Sequence, residues 1–258
     1  MKLNKYSWPK NETLVFVRPP IEEYHGNLDN FYDPDSFPEL NILKENWTVI
    51  RDEVLNYENS YGNLSGTSVK SPADVTGAWT VKYLKSFDRV NYENQKAFPK
   101  TTAIVNSIKN SVFASISILS PNTEIKPHYG DTNGIVRVHL ALIIPEPYPK
   151  CAIRVNEEEM GWKEGELISF INVQKHEVWN RTNRRRYVLM VDIVPNELAS
   201  IRNEICYKGL GSQSFIYLYN NISLIRILPN FSYDLLCTIF SFMWKVYLPF
   251  QKRLKFLP

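Results

Sequence analysis

The chain has 258 residues, 44% hydrophobic, 22% charged and 13% aromatic, enough apolar matter for a sizeable core and too much for wholesale disorder. Its 30 Lys and Arg against 27 Asp and Glu give a formal charge of +3, which excludes a surface built to track phosphates along its whole length, so no nucleic-acid partner is expected. The 3 cysteines, Cys151, Cys206 and Cys237, stand far apart with no CxxC pair, which excludes a disulfide framework and a cysteine zinc site and fits a reducing, cytoplasmic setting.

Residues 1–35 are rich in Pro, Asn, Asp and Tyr without a sustained period, and read as an arm laid over a domain surface. No long apolar run follows the basic start, so a secretory signal is not expected. From Phe37 onward Leu40, Leu43, Trp47, Ile50 and Val54 fall at helical spacing with charged residues between them, which predicts an amphipathic helix packed on a sheet. The stretch 56–78, with Gly62, Gly66 and Gly77, reads as a long loop. Pro99 predicts the opening of a second helix, since proline's missing N–H costs least there.

After Asn110 the period switches to two. Short β runs are predicted at 112–119, 136–144, 151–155, 167–171, 177–179 and 186–194, with a further one ending at His128, all divided by Pro, Gly and Asn. Strands so closely spaced predict a sandwich or barrel and not a βαβ sheet. Beyond Glu197 the pattern changes again: Leu235, Leu236, Ile239, Phe240, Met243, Val246, Tyr247 and Phe250 form a helical stripe followed by Lys252, Arg253 and Lys255. The stripe is too short to span a bilayer, which leaves core packing, a membrane surface or an oligomer contact through 234–255 as its uses.

The residues that carry chemistry are in the β-rich half. His128 and His176 lie 48 positions apart, each at a strand end, and two imidazoles from different strands can hold a divalent iron while leaving coordination sites open. The competing reading is two unrelated polar histidines. Arg137 and His139 share one strand face with Ala141 and Ile143, and Arg186 shares one with Val188 and Met190. An inward arginine in an apolar strand needs an anion, and its fork suits a carboxylate, so a small dicarboxylate ligand is implied, with Ser117 as an added donor. The alternative is internal pairing with Asp192, Glu177 or Glu166.

Taken together, the ordered run from His128 through Gly130, Arg137 and His139 to Pro145, then 151–155, Trp162 to Gly165, and His176 to Asn180 with Arg186 and Asp192 beyond, resembles the aspartyl/asparaginyl β-hydroxylase family. Phe37 to Leu40, Asn46-Trp47, Ile50 to Glu53, Trp79 and Pro99 to Thr101 match that family's lead-in, so the resemblance covers about 30–198.

It implies a mainly β protein with flanking helices around a double-stranded β-helix (jelly-roll, cupin-like) core, divided into an arm at 1–35, an oxygenase domain at 36–198 and a helical extension at 199–258. It implies an Fe(II)- and 2-oxoglutarate-dependent dioxygenase that uses O2 to hydroxylate the β-carbon of an aspartyl or asparaginyl unit, free, peptidyl or carrier-bound. By the same resemblance His128 and His176 are the iron ligands and catalytic residues. Arg186 and Ser117 would bind the far carboxylate of 2-oxoglutarate, Arg137 and His139 would line its metal-proximal end, and Trp79 would line the substrate pocket. Two positions after His128, where a third carboxylate ligand commonly stands, this chain has Gly130, which favours an amino-acid or peptidyl substrate; Asp131 is the minor candidate for a third ligand. Ile171 to Lys175 lacks the paired acids the family often has before its second histidine. Two alternatives stay open: hydroxylation of a lipid-linked acyl group at a membrane surface, and a non-catalytic cupin-like binding module.

Overall fold

The computed structural model describes residues 3–20, 23–61 and 78–254. The strands are β1 (Phe31–Tyr32), β2 (Trp79–Ser86), β3 (Arg89–Val90), β4 (Ser111–Leu119), β5 (Thr123–His128), β6 (Val136–Ile143), β7 (Cys151–Val155), β8 (Glu158–Gly161), β9 (Leu167–Phe170), β10 (His176–Asn180) and β11 (Arg186–Ile193). The α-helices are α1 (Asn41–Glu45), α2 (Trp47–Tyr61), α3 (Tyr92–Ala97), α4 (Pro99–Ser107), α5 (Arg202–Asn221) and α6 (Asn230–Leu254).

Two antiparallel sheets face each other. One runs β1-β9-β6-β11-β4-β2-β3 and the other β5-β10-β7-β8. From β4 to β11 the chain crosses between them, visiting the large sheet at β4, β6, β9 and β11 and the small one at β5, β7, β8 and β10. That alternation is a double-stranded β-helix, the core that the family resemblance implies and one form of the sandwich or barrel that the strand spacing predicts. The fold follows from period-two patterning, because the central strands of the large sheet, β4 and β11, bury both faces against different partners. On β11, Tyr187, Leu189, Val191 and Ile193 join a core with Leu40, Leu43, Ile50 and Val54 of the helical layer. Val188 and Met190 instead point between the sheets, with Ile125, Ile153, Phe170 and Val178.

The helical layer is anchored by a cap that crosses helices. Glu53 of α2 accepts the backbone N–H groups of Lys100 and Thr101 and the Thr101 hydroxyl, at 2.8, 2.8 and 2.7 Å, which satisfies donors at the start of α4 that have no partner within that helix.

Two expectations change. The helix begun at Trp47 continues to Tyr61, so the loop expected from Asn56 starts later, and its remainder, 62–77, lies outside the described residues. The arm is more than a surface strap: Phe31 and Tyr32 extend the large sheet by pairing with Phe170 and Ser169, and both are buried. The extension is helical, as expected, and holds two long helices, of which the sequence stripe marks the second. α5 packs Cys206, Leu210 and Phe215 inward, the first two against Phe87, Val112 and Ile135, while α6 crosses it closely.

Candidate active site

The site lies between the sheets, and register dictates which side chains reach it. On the large sheet, Asp192 of β11 stands opposite Arg137 and Phe113, Met190 opposite His139 and Ser115, Val188 opposite Ala141 and Ser117, and Arg186 opposite Leu119. On the small sheet, His176 of β10 is the register partner of His128 on β5 and of Val155 on β7. These are successive rungs of two facing ladders, so the polar groups form a column in an otherwise apolar interior.

The two histidines meet at the mouth, with ring centroids 4.2 Å apart. Each is oriented in the same way: His128 Nδ1 donates to the Lys126 carbonyl and His176 Nδ1 to the Gln174 carbonyl, both at 2.8 Å. A carbonyl only accepts, so each ring carries its proton on Nδ1 and keeps Nε2 as a lone-pair nitrogen, the form that binds a metal. Burial lowers the pKa of His128 and pushes that of His176 well down, where the His128 charge adds to the effect; both rings are therefore neutral at neutral pH.

Deeper in the column stands Arg186, 1% exposed. Burial lowers its guanidinium to about 10, with no carboxylate against it, and its Nε and Nη1 have no hydrogen-bond partner. Its Cζ sits 5.0 Å from the centroid of the Trp162 ring, and Trp162 stacks on His139 at 5.9 Å. His139 in turn meets Phe170 edge-on at 5.0 Å, and Phe170 meets His176 at 5.5 Å, so a wall of rings leads from the mouth to the guanidinium. Along that wall both nitrogens of His139, Trp162 Nε1, Ser115 Oγ and the Asn172 amide are buried without partners. Burial, then the Arg186 and Arg137 charges, hold His139 far below its usual pKa. A buried cation with unpaired Trp162 and Ser115 donors along the same wall is an anion pocket in electrostatic terms, since leaving such groups unsatisfied costs several kcal/mol in sum, roughly 1–3 for each.

Of the residues singled out in the sequence, His128, His176, His139 and Arg186 converge on this column. Arg137 lies in it with both arms of its fork engaged, Nε and Nη2 donating to Asp192 at 2.8 and 2.7 Å. This is the internal pairing left open as an alternative. Burial would lower the Arg137 guanidinium, but Asp192 outweighs it and the net shift is upward. Ser117 and Trp79 engage each other, with Trp79 Nε1 donating to Ser117 Oγ at 2.9 Å, and the Trp79 ring lies 6.4 Å from His128. Asp131 accepts from Gln213 of α5 at 2.9 Å.

Gly130 is a close approach of backbones. A Cβ there would lie 2.5 Å from Asn172 Cγ and 2.6 Å from the Asn172 carbonyl oxygen, which already accepts the Gly130 N–H at 2.7 Å. No side chain fits where a third ligand would start. Among the described residues, no group of three or more His, Cys, Asp or Glu gathers as a metal cluster.

The sequence reading missed Ser115, Trp162 and Asn172 as site residues. Ser115 was within reach, since it shares the face of Ser117 at a spacing of two. Trp162 and Asn172 sit in turns before β9 and β10, where no period points inward.

A family model described as aspartyl/asparaginyl beta-hydroxylase matches residues 44–195. An ornithine lipid ester-linked acyl 2-hydroxylase from Rhizobium tropici is 36% identical over 196 residues, which cover 73% of this chain and 66% of that protein. The aspartyl/asparaginyl beta-hydroxylase of Mus musculus is 32% identical over 161 residues, which cover 60% of this chain and 21% of that protein. The chain thus spans just under two thirds of the first relative and about a fifth of the second. A Cupin 2 conserved barrel domain protein from Salinispora arenicola overlays 49% of this chain and 83% of its own, with 10% identity and a TM-score of 0.31.

Proposed function

The chain belongs to the aspartyl/asparaginyl β-hydroxylase family, and from that premise we propose that it is an Fe(II)- and 2-oxoglutarate-dependent hydroxylase. The observation that carries this reading is the pairing of two Nε2-presenting imidazoles at the mouth with an unpaired, fully buried guanidinium below them. Neutral imidazoles suit ferrous iron, and a guanidinium fork suits the distal carboxylate of a keto acid. When bound, iron and 2-oxoglutarate supply the oxidising chemistry that activates O2, with release of succinate and CO2.

The residues of the chain do the rest. His128 and His176 hold the metal in one orientation because their Nδ1 protons are already committed to backbone carbonyls. Arg186 fixes the far end of the cosubstrate, and Trp162 buttresses the guanidinium so that it need not reorganise. Phe170, Ile168 and Val178 exclude water from the reacting volume. Gly130 leaves no room for a third side-chain ligand, so the two imidazoles would be the protein's share of the metal's ligands at this end of the site.

For the substrate, we favour a lipid-linked acyl group. The acyl hydroxylase is similar over a larger share of this chain than the mouse enzyme is. An apolar groove of about 590 Å³ between α5 and α6, lined by Leu210, Phe240, Met243 and Trp244, also includes Gln213, the residue that holds Asp131 beside the mouth. An aspartyl or asparaginyl substrate is the second reading, supported by Gly130. Anaerobic loading with Fe(II) and 2-oxoglutarate, then oxygen and a panel of acyl lipids and Asp- or Asn-containing peptides, should give succinate and one added oxygen atom by mass spectrometry on an acyl lipid. Addition to a peptide alone selects the second reading; turnover by both His128→Ala and His176→Ala at the wild-type rate removes the iron assignment.

A further inference from the structure

α6 is amphipathic in an unusual sense: both of its long faces are apolar, and only one has a partner. The inner face packs Tyr233, Phe240, Trp244 and Leu248 toward α5 and the barrel. The outer face presents Phe231, Leu235, Ile239, Phe242, Val246 and Phe250, at steps of three or four residues, between 45% and 74% exposed. Leu224 and Ile227, on the connector from α5, are exposed by 66% and 77%. Single exposed apolar residues are ordinary, but a continuous row along a helix about 37 Å long is not.

This face cannot be relieved by rotating the helix. Near its start Asp234 pairs with Arg18 at 2.7 Å. Near its end Gln251 exchanges two hydrogen bonds with the backbone of Val90, at 3.2 and 3.1 Å, and its carbonyl accepts from Tyr92. In the middle Gly211 of α5 lies so close to α6 that a Cβ would fall 2.7 Å from the Cys237 carbonyl oxygen. The inner face is therefore locked down, and the outer one is held outward.

Charge selects the occupant. From Gly209 to Pro258 the sequence has Arg226, Lys245, Lys252, Arg253 and Lys255 against a single acid, Asp234, which Arg18 already neutralises. Lys245 and Arg253, three residues on from Phe242 and Phe250, are exposed beside the apolar row; Arg226 is exposed on the connector, where it donates to the Tyr219 and Asn220 carbonyls, and Arg89 stands at the groove over Trp244. A second copy laid on this face would bring like charges together, whereas an anionic lipid surface would attract them. Among the described residues no helix is long and apolar enough to cross a membrane, so the helix would lie in the interface plane.

We propose that the outer face of α6, with the connector before it, docks the protein on an anionic lipid bilayer. Apolar burial supplies the depth and the basic residues supply the selectivity for charge. The docking surface stands on its own observations and does not depend on the substrate reading.

The test is flotation of the full chain, without turnover, on vesicles of phosphatidylcholine alone or mixed with phosphatidylglycerol. The wild type should float with the mixed vesicles and be released by high salt. Phe231→Ser/Phe242→Ser/Phe250→Ser changes only exposed positions and should lower partition by on the order of tenfold or more. Lys245→Glu/Arg253→Glu should do the same on mixed vesicles while leaving the residual binding to neutral ones unchanged. Wild type that stays at the bottom with both vesicle types overturns the proposal, as does a concentration-dependent dimer abolished by the triple substitution, which would assign the face to a second copy. Because the readout is binding, failure here leaves the hydroxylase reading standing.

Discussion

His176 and His128 are direct register partners across β10 and β5, and each spends Nδ1 on the carbonyl two residues before it. The orientation of both rings is therefore set by backbone, that of β5 for His128 and of the bend before β10 for His176, and does not wait for a ligand. Replacing either with Ala should weaken binding of Mn(II), a redox-quiet stand-in for Fe(II), by about 100-fold or more, since losing a partner behind a ligand already costs 10–100-fold. Electron paramagnetic resonance of the free ion measures this, and wild-type affinity in both variants would contradict the assignment.

Restoring a carboxylate at position 130 should not improve the site. The Cβ of any residue there meets both the side chain and the backbone oxygen of Asn172, and backbone oxygen cannot swing away. Gly130→Asp and Gly130→Ala are both expected to lower stability by about 1–3 kcal/mol, the usual cost of overpacking. Neither should bind Mn(II) more tightly. Urea unfolding checks the first part, and a tighter-binding, fully stable Gly130→Asp protein would show that the loop yields.

Arg186 places function and stability in opposition. Its guanidinium is buried without a countercharge, so Arg186→Met should raise the stability of the metal-free protein by about 1 kcal/mol or more. The same change should raise the KM for 2-oxoglutarate at least tenfold. Arg186→Lys should also raise it, because a point charge cannot replace the fork. If Arg186→Met unfolds more easily than the wild type, the guanidinium has an internal role and the anion-pocket reading falls.

Much of this architecture is legible in sequence, and the parts that are not share a cause. The central strands of the β-helix announce themselves because they alternate between two cores; Arg186, Val188 and Met190 sort from Tyr187, Leu189 and Val191 by parity alone. α5 goes unseen because Gly209 and Gly211 interrupt its pattern. Both are glycine for tertiary reasons: a Cβ at Gly209 would meet the Phe87 ring at 2.6 Å, and one at Gly211 would meet α6. Parity also says which face Arg137 takes, but it does not say whether the partner there is a ligand or Asp192. That depends on pairing β6 with β11 in one register, a fact of long-range geometry.

The Arg137 pair predicts a pattern different from Arg186. Arg137→Leu leaves Asp192 buried and unpaired and should destabilise by about 3–5 kcal/mol, while Arg137→Leu/Asp192→Leu should recover most of that loss. The comparison is made by urea unfolding of the metal-free protein. A double variant as unstable as the single one would mean that Arg137 serves more than its ion pair.

His139 gives the stability of the metal-free protein a pH dependence whose sign can be worked out. In the unfolded chain its imidazole titrates near 6.5; in the fold, burial and the Arg186 and Arg137 charges hold the pKa well below that. Between the two values the unfolded chain carries the extra proton, so acidification favours unfolding. The contribution is complete above about pH 6.5 and erodes as the pH falls below it, at no more than about 1.4 kcal/mol per pH unit for one group. His176 acts in the same direction. His139→Gln removes one titrating group, so its urea midpoint should fall less steeply than that of the wild type from about pH 7 to about pH 5.5. Parallel curves would mean that the imidazole accepts its proton in the native state, which the two neighbouring guanidinium groups oppose.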